Sequence, residues 1–128
     1  MGRSLGSAPA IEVAFRSQDA MRGVIVESGF SDAFRLLSYT GLPLKIPKPH
    51  RDGFPNGEKM RSIHIPTLLI HAADDHLIPL SEGEELLRLC DAEAKRLVVI
   101  TRADHNTLMM VGREQYFRAI EEFIISNT

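Results

Sequence analysis

The sequence predicts an α/β fold, in which a three-stranded parallel sheet is covered by flanking helices. Short apolar runs of the kind that form strands buried on both faces occur at 23–27, 66–72 and 96–101. Segments with helical spacing precede and follow each run. Such alternation predicts parallel strands joined by right-handed crossovers, and a sheet of this kind binds its ligands at the carboxyl ends of the strands.

The composition is that of an ordinary globular domain. The chain has 128 residues, 44% of them hydrophobic and 25% charged, with a formal net charge of -2, which suits one domain over 1–128. No stripe of Lys and Arg suggests a nucleic-acid partner. We expect no secretion signal and no membrane span, since no apolar run reaches the ~20 residues that a bilayer requires. A single cysteine, Cys90, can neither form an internal disulfide nor anchor a zinc site alone, so we expect a cytoplasmic protein. Because no pair of histidines has metal-ligand spacing with acidic residues, we expect no metal, and we also expect no cofactor.

The first element follows residues 2–6, which read G-x-S-x-G. This spacing suits a sharp strand-to-helix turn that exposes the hydroxyl of Ser4, with glycines where side chains would collide with the neighbouring elements. A helix is predicted over 4–17, and its free N–H groups would favour a negative charge developing at the serine. Ser4 is therefore a candidate nucleophile, although it could simply cap the helix.

A turn of this type needs a strand in front of it. Only Met1 precedes Gly2, so we expect that strand to be absent. The edge of the strand at 23–27 would then be exposed and open to another chain.

After the strand at 23–27, a helix is predicted over 33–39, with Ser31 or Asp32 as its cap. Prolines and glycines are so frequent over 40–57 that regular structure is excluded there. This segment is predicted to be a surface loop that borders a substrate pocket.

The next elements are a short helix over 58–62, with Asn56 as a possible cap, and the strand at 66–72. Residues 81–84 read Ser-Glu-Gly-Glu, a capping box that predicts a helix through Cys90.

The strand at 96–101 is followed by a loop and then by the last predicted helix, over 113–126. Its apolar residues recur at helical spacing and predict a face turned inward. They are Tyr116, Phe117, Ile120, Phe123 and Ile124.

Three potentially catalytic groups follow predicted turns or strands and should share one rim of the sheet. They are Ser4, Asp74 or Asp75 after the second strand, and His105 after the third. A serine hydroxyl is a poor nucleophile until a base takes its proton, which a histidine can do near neutral pH. An aspartate on the other ring nitrogen would fix the histidine tautomer. The order Ser, Asp, His is the order of the α/β-hydrolase fold.

The segment from Ile65 to Pro79 resembles the acid-bearing segment of the α/β hydrolases. The usual form is His-Gly, two variable residues, Asp, and an apolar residue with Pro. The alignment makes Asp75 the acid, with Asp74 the alternative and Asp32 a remote third. Ala72 stands where the family often has glycine.

The segment Ala103–Asn106 resembles the histidine loop of the same superfamily, with Arg102 at a frequent glycine position. Within the superfamily the chain is most similar to the BEM46-like branch, to α/β-hydrolase domain-containing proteins 13 and 17, and to serine-peptidase-like members. The resemblance covers nearly the whole chain but only the C-terminal half of the fold, the last three of eight strands.

The resemblance implies a serine hydrolase that cleaves an ester, thioester or amide bond of a small acyl substrate through an acyl-enzyme. Ser4 would attack the carbonyl, His105 would relay the proton and Asp75 would orient His105. The N–H of Leu5 would contribute to the oxyanion hole. The alternative is a truncated half-domain without catalysis. It would act as a binding or assembly module, pairing with a second copy or with the missing N-terminal half through its exposed strand edge.

The remaining polar residues have plainer expected roles. We expect Arg3 to be a solvated charge, although it could hold a substrate carboxylate, and Cys90 to be inert core. His71 should be a packed or hydrogen-bonded histidine. Asn106 should shape the histidine loop. Two further sets are expected at the surface, namely His50, His64 and His76, and the solvated helix start Glu82, Glu84 and Glu85.

Overall fold

The structure, a computed structural model that describes residues 1–41 and 53–128, is built on a parallel sheet with helices on both faces. Within those residues the sheet has four strands, which lie side by side in chain order. The strands are β1 (Gly2–Arg3), β2 (Val24–Glu27), β3 (Thr67–Ala72) and β4 (Lys95–Ile100). The helices are α1 (Ser7–Arg16), α2 (Ala33–Ser38), α3 (Asn56–Met60), α4 (Leu80–Leu89), α5 (Leu108–Val111) and α6 (Arg113–Ser126).

The α/β fold and the three predicted strands are confirmed, with strand ends that differ by one residue. β3 is the centre of the sheet, since Thr67 lies opposite Val24 on one side and Lys95 on the other. All six residues of β3 are buried, as the continuous apolar run predicts.

The prediction that no strand precedes Ser4 is wrong. β1 pairs in parallel with the end of β2, with Gly2 opposite Val26. Two residues are too few for a periodic pattern, so only the pairing reveals this strand. A Cβ on Gly2 would lie 2.3 Å from the carbonyl oxygen of Gly6, which explains why glycine is needed there. Gly6 itself has open space at its Cβ position, so the expected collision there does not occur.

Among the described residues the fold buries three apolar clusters. The smallest contains Ala8, Phe30 and Ile78, and the two larger ones lie one on each face of the sheet. The first joins α1, α3 and α4 to β2 and β3, and Cys90 is part of it, as expected. The second joins α6 and the histidine loop to β3 and β4. Fully buried members include Ile11, Met60 and Leu86 in the first cluster, and Leu68, Ile70 and Ile100 in the second.

Three helices, α1, α3 and α4, begin differently from their predicted starts. A 3-10 turn, Ser4–Gly6, precedes α1 within the segment predicted as one helix. Asn56 is the first residue of α3 rather than its cap, and its side-chain amide donates to the carbonyl of Phe30 at 2.9 Å. For α2 the prediction is confirmed, since the carboxylate of Asp32 accepts hydrogen bonds at the helix N-terminus.

The predicted capping box does not form, because α4 begins at Leu80 and Ser81 lies inside its first turn. Glu82 was expected in solvent and is instead fully buried. Its carboxylate accepts from the N–H and the hydroxyl of Ser31, at 2.8 and 2.7 Å, and pairs with Arg35 at 2.6 Å. Both partners are far away in the sequence, so the local pattern could not reveal them.

The predicted helix over 113–126 is confirmed, but its apolar stripe is only partly covered. Tyr116 is buried, whereas Phe117 and Ile124 are 49% and 55% exposed. α5 was not predicted. Most of the predicted loop over 40–57, including His50, lies outside the described residues. Among the described residues, no helix has the length and apolar character needed to cross a bilayer.

Candidate active site

Ser4 occupies the tight turn between β1 and α1. Its φ of +54° lies in the left-handed region, which non-glycine residues rarely adopt and which costs of order 1–3 kcal/mol. The turn presents the serine ahead of the N-terminus of α1, where unpaired N–H groups carry partial positive charge. Leu5, the next residue, belongs to the same 3-10 turn and is 70% exposed.

Asp75 lies in the loop after β3 and is only 5% exposed. Its Oδ1 accepts from the N–H groups of Leu77 and Ile78, at 3.0 and 2.8 Å. Its Oδ2 lies 2.7 Å from Nδ1 of His105. Asp74, the alternative acid, is exposed. The structure therefore places the carboxylate of Asp75, and not that of Asp74, against the histidine.

His105 is 7% exposed and follows β4. Because an ionised carboxylate only accepts hydrogen bonds, the Nδ1 that faces Asp75 carries a proton and the neutral ring keeps Nε2 as an acceptor. This is the tautomer that a general base requires. Within the described residues, no hydrogen bond joins Ser4 Oγ to this ring. In sites without substrate such contacts are often longer than a hydrogen bond.

The histidine loop is shaped by Asp104 rather than by the side chain of Asn106. The Oδ1 of Asp104 accepts from the N–H groups of Asn106 and Thr107, at 2.8 and 2.9 Å. These bonds hold the pKa of Asp104 below its usual range, the bond from Asn106 contributing most. Arg102 adopts a φ of +60°, which explains why related proteins often have glycine there.

Arg3 connects the serine turn to the histidine loop. Its Nη2 donates to the carbonyl oxygen of His105 at 2.6 Å, and its Nε donates to Oε1 of Glu27 at 2.8 Å. Arg3 is exposed, as expected, but its guanidinium is also held by these two protein groups, which was not expected. The partners of Arg3 are 24 and 102 positions away along the chain, so no local pattern reports them.

Glu27 and Tyr116 are two polar residues that the sequence analysis missed. Glu27 ends β2 with 4% exposure, and Tyr116 donates its hydroxyl to Oε2 of Glu27 at 2.7 Å. Burial, followed by the bond to Glu27, raises the pKa of Tyr116 far above its usual range. A glutamate that ends an otherwise apolar strand was the available signal, because a buried charge needs a partner.

His71 is buried and hydrogen-bonded, as expected. Its Nε2 lies 2.7 Å from the carbonyl oxygen of Ile78 and must donate there, since a carbonyl only accepts. The same nitrogen lies 3.7 Å from Oδ2 of Asp75. Among the described residues, no group of three or more His, Cys, Asp or Glu side chains could hold a metal ion.

No family model matches the chain. It is 29% identical over 127 residues to α/β-hydrolase domain-containing protein 17B of Homo sapiens, a match that covers 96% of this chain and 40% of that protein. It is 30% identical over 125 residues to an uncharacterised protein of Mycobacterium tuberculosis, covering 96% of this chain and 43% of that one. The chain therefore spans well under half the length of these curated relatives.

Solved structures share the fold. A monoacylglycerol lipase of Paleococcus ferrophilus superposes with a TM-score of 0.73 at 19% identity, covering 99% of this chain and 67% of the lipase. An acylaminoacyl peptidase of Pyrococcus horikoshii gives a TM-score of 0.74 at 16% identity, covering 98% of this chain and 23% of the peptidase. At such identities the likeness establishes the architecture and leaves substrate open.

Proposed function

We propose that this chain, which corresponds in sequence and fold to the C-terminal part of an α/β hydrolase, carries the Ser-His-Asp triad of a serine hydrolase. The observation that supports it most directly is the buried contact of 2.7 Å between His105 and Asp75, with a strained serine turn tied to the same loop. The reaction would cleave an ester, thioester or amide bond of an acyl substrate.

In the proposed reaction, Ser4 Oγ attacks the substrate carbonyl while Nε2 of His105 takes the hydroxyl proton. Asp75 stabilises the imidazolium that forms. The oxyanion accepts a hydrogen bond from the N–H of Leu5. The imidazolium then protonates the leaving group, which departs and leaves an acyl-enzyme on Ser4. A water molecule, deprotonated by His105, hydrolyses that ester and restores the serine.

The chain spans 40% of the length of the human relative. We therefore propose the activity and the substrate class for a protein that contains the whole fold. The resemblance assigns a second oxyanion donor to a part of the fold that this chain does not match. Lacking one donor would cost about 3–4 kcal/mol of transition-state stabilisation. We also propose a cytoplasmic setting, with which the buried free Cys90 is compatible.

The alternative function, a non-catalytic binding or assembly module, is favoured by one feature. β1 covers only the last two residues of β2, and an apolar groove lies beside this edge. Its lining includes Met1, Ile25, Phe123 and Ile124. A polypeptide equivalent to the rest of the relatives' fold would add a strand there and cover these side chains.

A fluorophosphonate probe distinguishes the two functions, since it labels only an activated serine. We expect labelling at Ser4, identified on the peptide, and its loss in Ser4→Ala. Ser81→Ala, which changes an exposed serine on α4, is the matched control and should label like the wild type. A folded, monodisperse chain that takes up no probe would instead support the non-catalytic module.

A further inference from the structure

The serine turn and the histidine loop start from opposite edges of the described sheet. β1 and β4 are the outermost strands in the order β1-β2-β3-β4, so the loop after β4 must return across two strands to approach Ser4. Asp75, which follows β3, holds the ring of His105 only from one side. The position of Nε2 relative to Ser4 therefore depends on what fixes the backbone of the loop.

Arg3 contacts that backbone. Its Nη2 donates to the carbonyl oxygen of His105 itself, at 2.6 Å. Its Nε donates to Oε1 of Glu27 at 2.8 Å, so one guanidinium engages both groups. A lysine could not reproduce this contact, because its ammonium lacks the planar fork of donors. Arg3 also directly precedes Ser4 in the chain, so its side chain connects the serine turn to the histidine loop without another residue between them.

The anchor of Arg3 is itself fixed. Glu27 is 4% exposed and ends β2, and its second oxygen accepts from Tyr116 of α6 at 2.7 Å. Both carboxylate oxygens are thus occupied, one by the guanidinium and one by the phenol. A buried carboxylate with such partners has little freedom to move.

We infer that Arg3 is a positioning residue. Anchored on Glu27, its guanidinium holds the carbonyl of His105 and thereby sets the imidazole in place for Ser4. The inference rests on the proposed hydrolase function for its kinetic consequence. The start of the loop is also fixed, because the N–H of Asp74 donates to the carbonyl oxygen of Ala103 at 3.0 Å. At His105 itself, Asp75 holds Nδ1 and Arg3 holds the carbonyl oxygen, and together they define the ring position.

Removing the guanidinium should slow acylation more than it weakens substrate binding. We expect Arg3→Met to lower the fluorophosphonate labelling rate about 10- to 100-fold, the range expected when a catalytic group is displaced by about 1 Å. KM for a small ester should change little. Since the Arg3 side chain is 47% exposed, millimolar guanidinium ion should reach the vacated site and restore part of the rate.

The control is Arg96→Met. Arg96 has the same arrangement, with Nη1 3.1 Å from a carboxylate oxygen of Glu122 and Nη2 donating to the carbonyl of Ala119 at 2.8 Å. It lies on β4, away from the serine turn. This variant should label at the wild-type rate and gain nothing from guanidinium. Arg3→Lys should be intermediate.

A second readout does not depend on activity. The proton on Nδ1 of His105, held by Asp75, should give a low-field NMR signal in the wild type. In Arg3→Met we expect this signal to broaden through loop motion and to sharpen again with guanidinium. If Arg3→Met does not fold, Glu27→Gln serves as the test, because it keeps the shape and removes the anchoring charge.

The outcomes separate the two ideas. Equal labelling of the wild type and Arg3→Met would overturn the positioning role while leaving the hydrolase intact. No labelling of the wild type would overturn the hydrolase, and the NMR signal would then decide the positioning role alone. An unchanged signal in Arg3→Met, or equal sensitivity of Arg96→Met, would reject it.

Discussion

The carboxylate of Asp75 has both oxygens engaged, and this determines what an amide would do in its place. The N–H groups of Leu77 and Ile78 both point at Oδ1, while Oδ2 faces His105. In an Asp75→Asn variant the two N–H groups would keep the amide oxygen on their side. The amide nitrogen would then face the ring, accept nothing from Nδ1–H, and favour the tautomer with its proton on Nε2.

That tautomer cannot take a proton from Ser4. We therefore expect Asp75→Asn to lower the labelling rate by about 10⁴-fold, as the wrong tautomer does in other triads. Asp74→Asn is the matched control, because its carboxylate is exposed and should leave the rate unchanged. Measurement of labelling rates on both variants decides between the neighbouring acids. A larger loss in Asp74→Asn would reassign the acid.

At the scale of elements, a buried carboxylate joins α4 to the segment that leads into α2. Glu82 has no exposed surface, and three residues in or near α2 bind it, namely Ser31 through its N–H and hydroxyl, Arg35 and Tyr39. The next residue, Gly83, allows α4 to approach β3 closely, since a Cβ there would lie 2.7 Å from Nδ1 of His71. The loop of Asp75 connects β3 to α4, so these contacts fix the helix at which that loop ends.

Glu82→Ala should therefore destabilise the fold. Because it leaves the buried N–H and hydroxyl of Ser31 without an acceptor, we expect a loss of about 3 kcal/mol in the free energy of unfolding. Glu84→Ala changes an exposed carboxylate of the same helix and should stay within about 0.5 kcal/mol. Urea denaturation measures both. Similar values for the two variants would mean that the buried carboxylate contributes no more than an exposed one.

At the scale of the whole molecule, the described sheet has a fully buried six-residue strand, β3, near its centre and an edge strand, β1, of only two residues. The groove beside β1 contains Met1 and Ile124, which are 61% and 55% exposed. Contiguous apolar surface beside an open strand edge favours association with another polypeptide. We propose that a second copy takes this face when the chain is alone in solution.

Light scattering at increasing protein concentration tests this proposal. We expect the isolated chain to self-associate and Ile124→Lys to shift it toward the monomer, because an ammonium would have to be buried in the groove. The neighbouring Ile125 is 70% exposed but does not line the groove, so Ile125→Lys should associate like the wild type. A monomeric wild type at all concentrations, or equal effects of both substitutions, would contradict it.

The sequence by itself determined the features that depend on neighbours along the chain. The apolar runs at 23–27, 66–72 and 96–101 and the helical spacing over 113–126 predict their elements correctly, since burial of a strand or helix face repeats over a few residues. The similarity to α/β hydrolases also follows from short motifs that can be read in order. These signals are local, and a single sequence contains them in full.

The tertiary structure alone decided the features whose partners are distant in the sequence. β1 is a strand because Gly2 pairs with Val26. Arg3 is a bridge because its guanidinium binds the carbonyl oxygen of His105, which lies 102 positions away in the sequence. Glu82 looks like an exposed helix start until Ser31, 51 positions earlier, is seen to bind it. For a charge at a helix start, such as Glu82, the sequence does not show whether water or a remote donor will satisfy it, since that depends on how the chain packs.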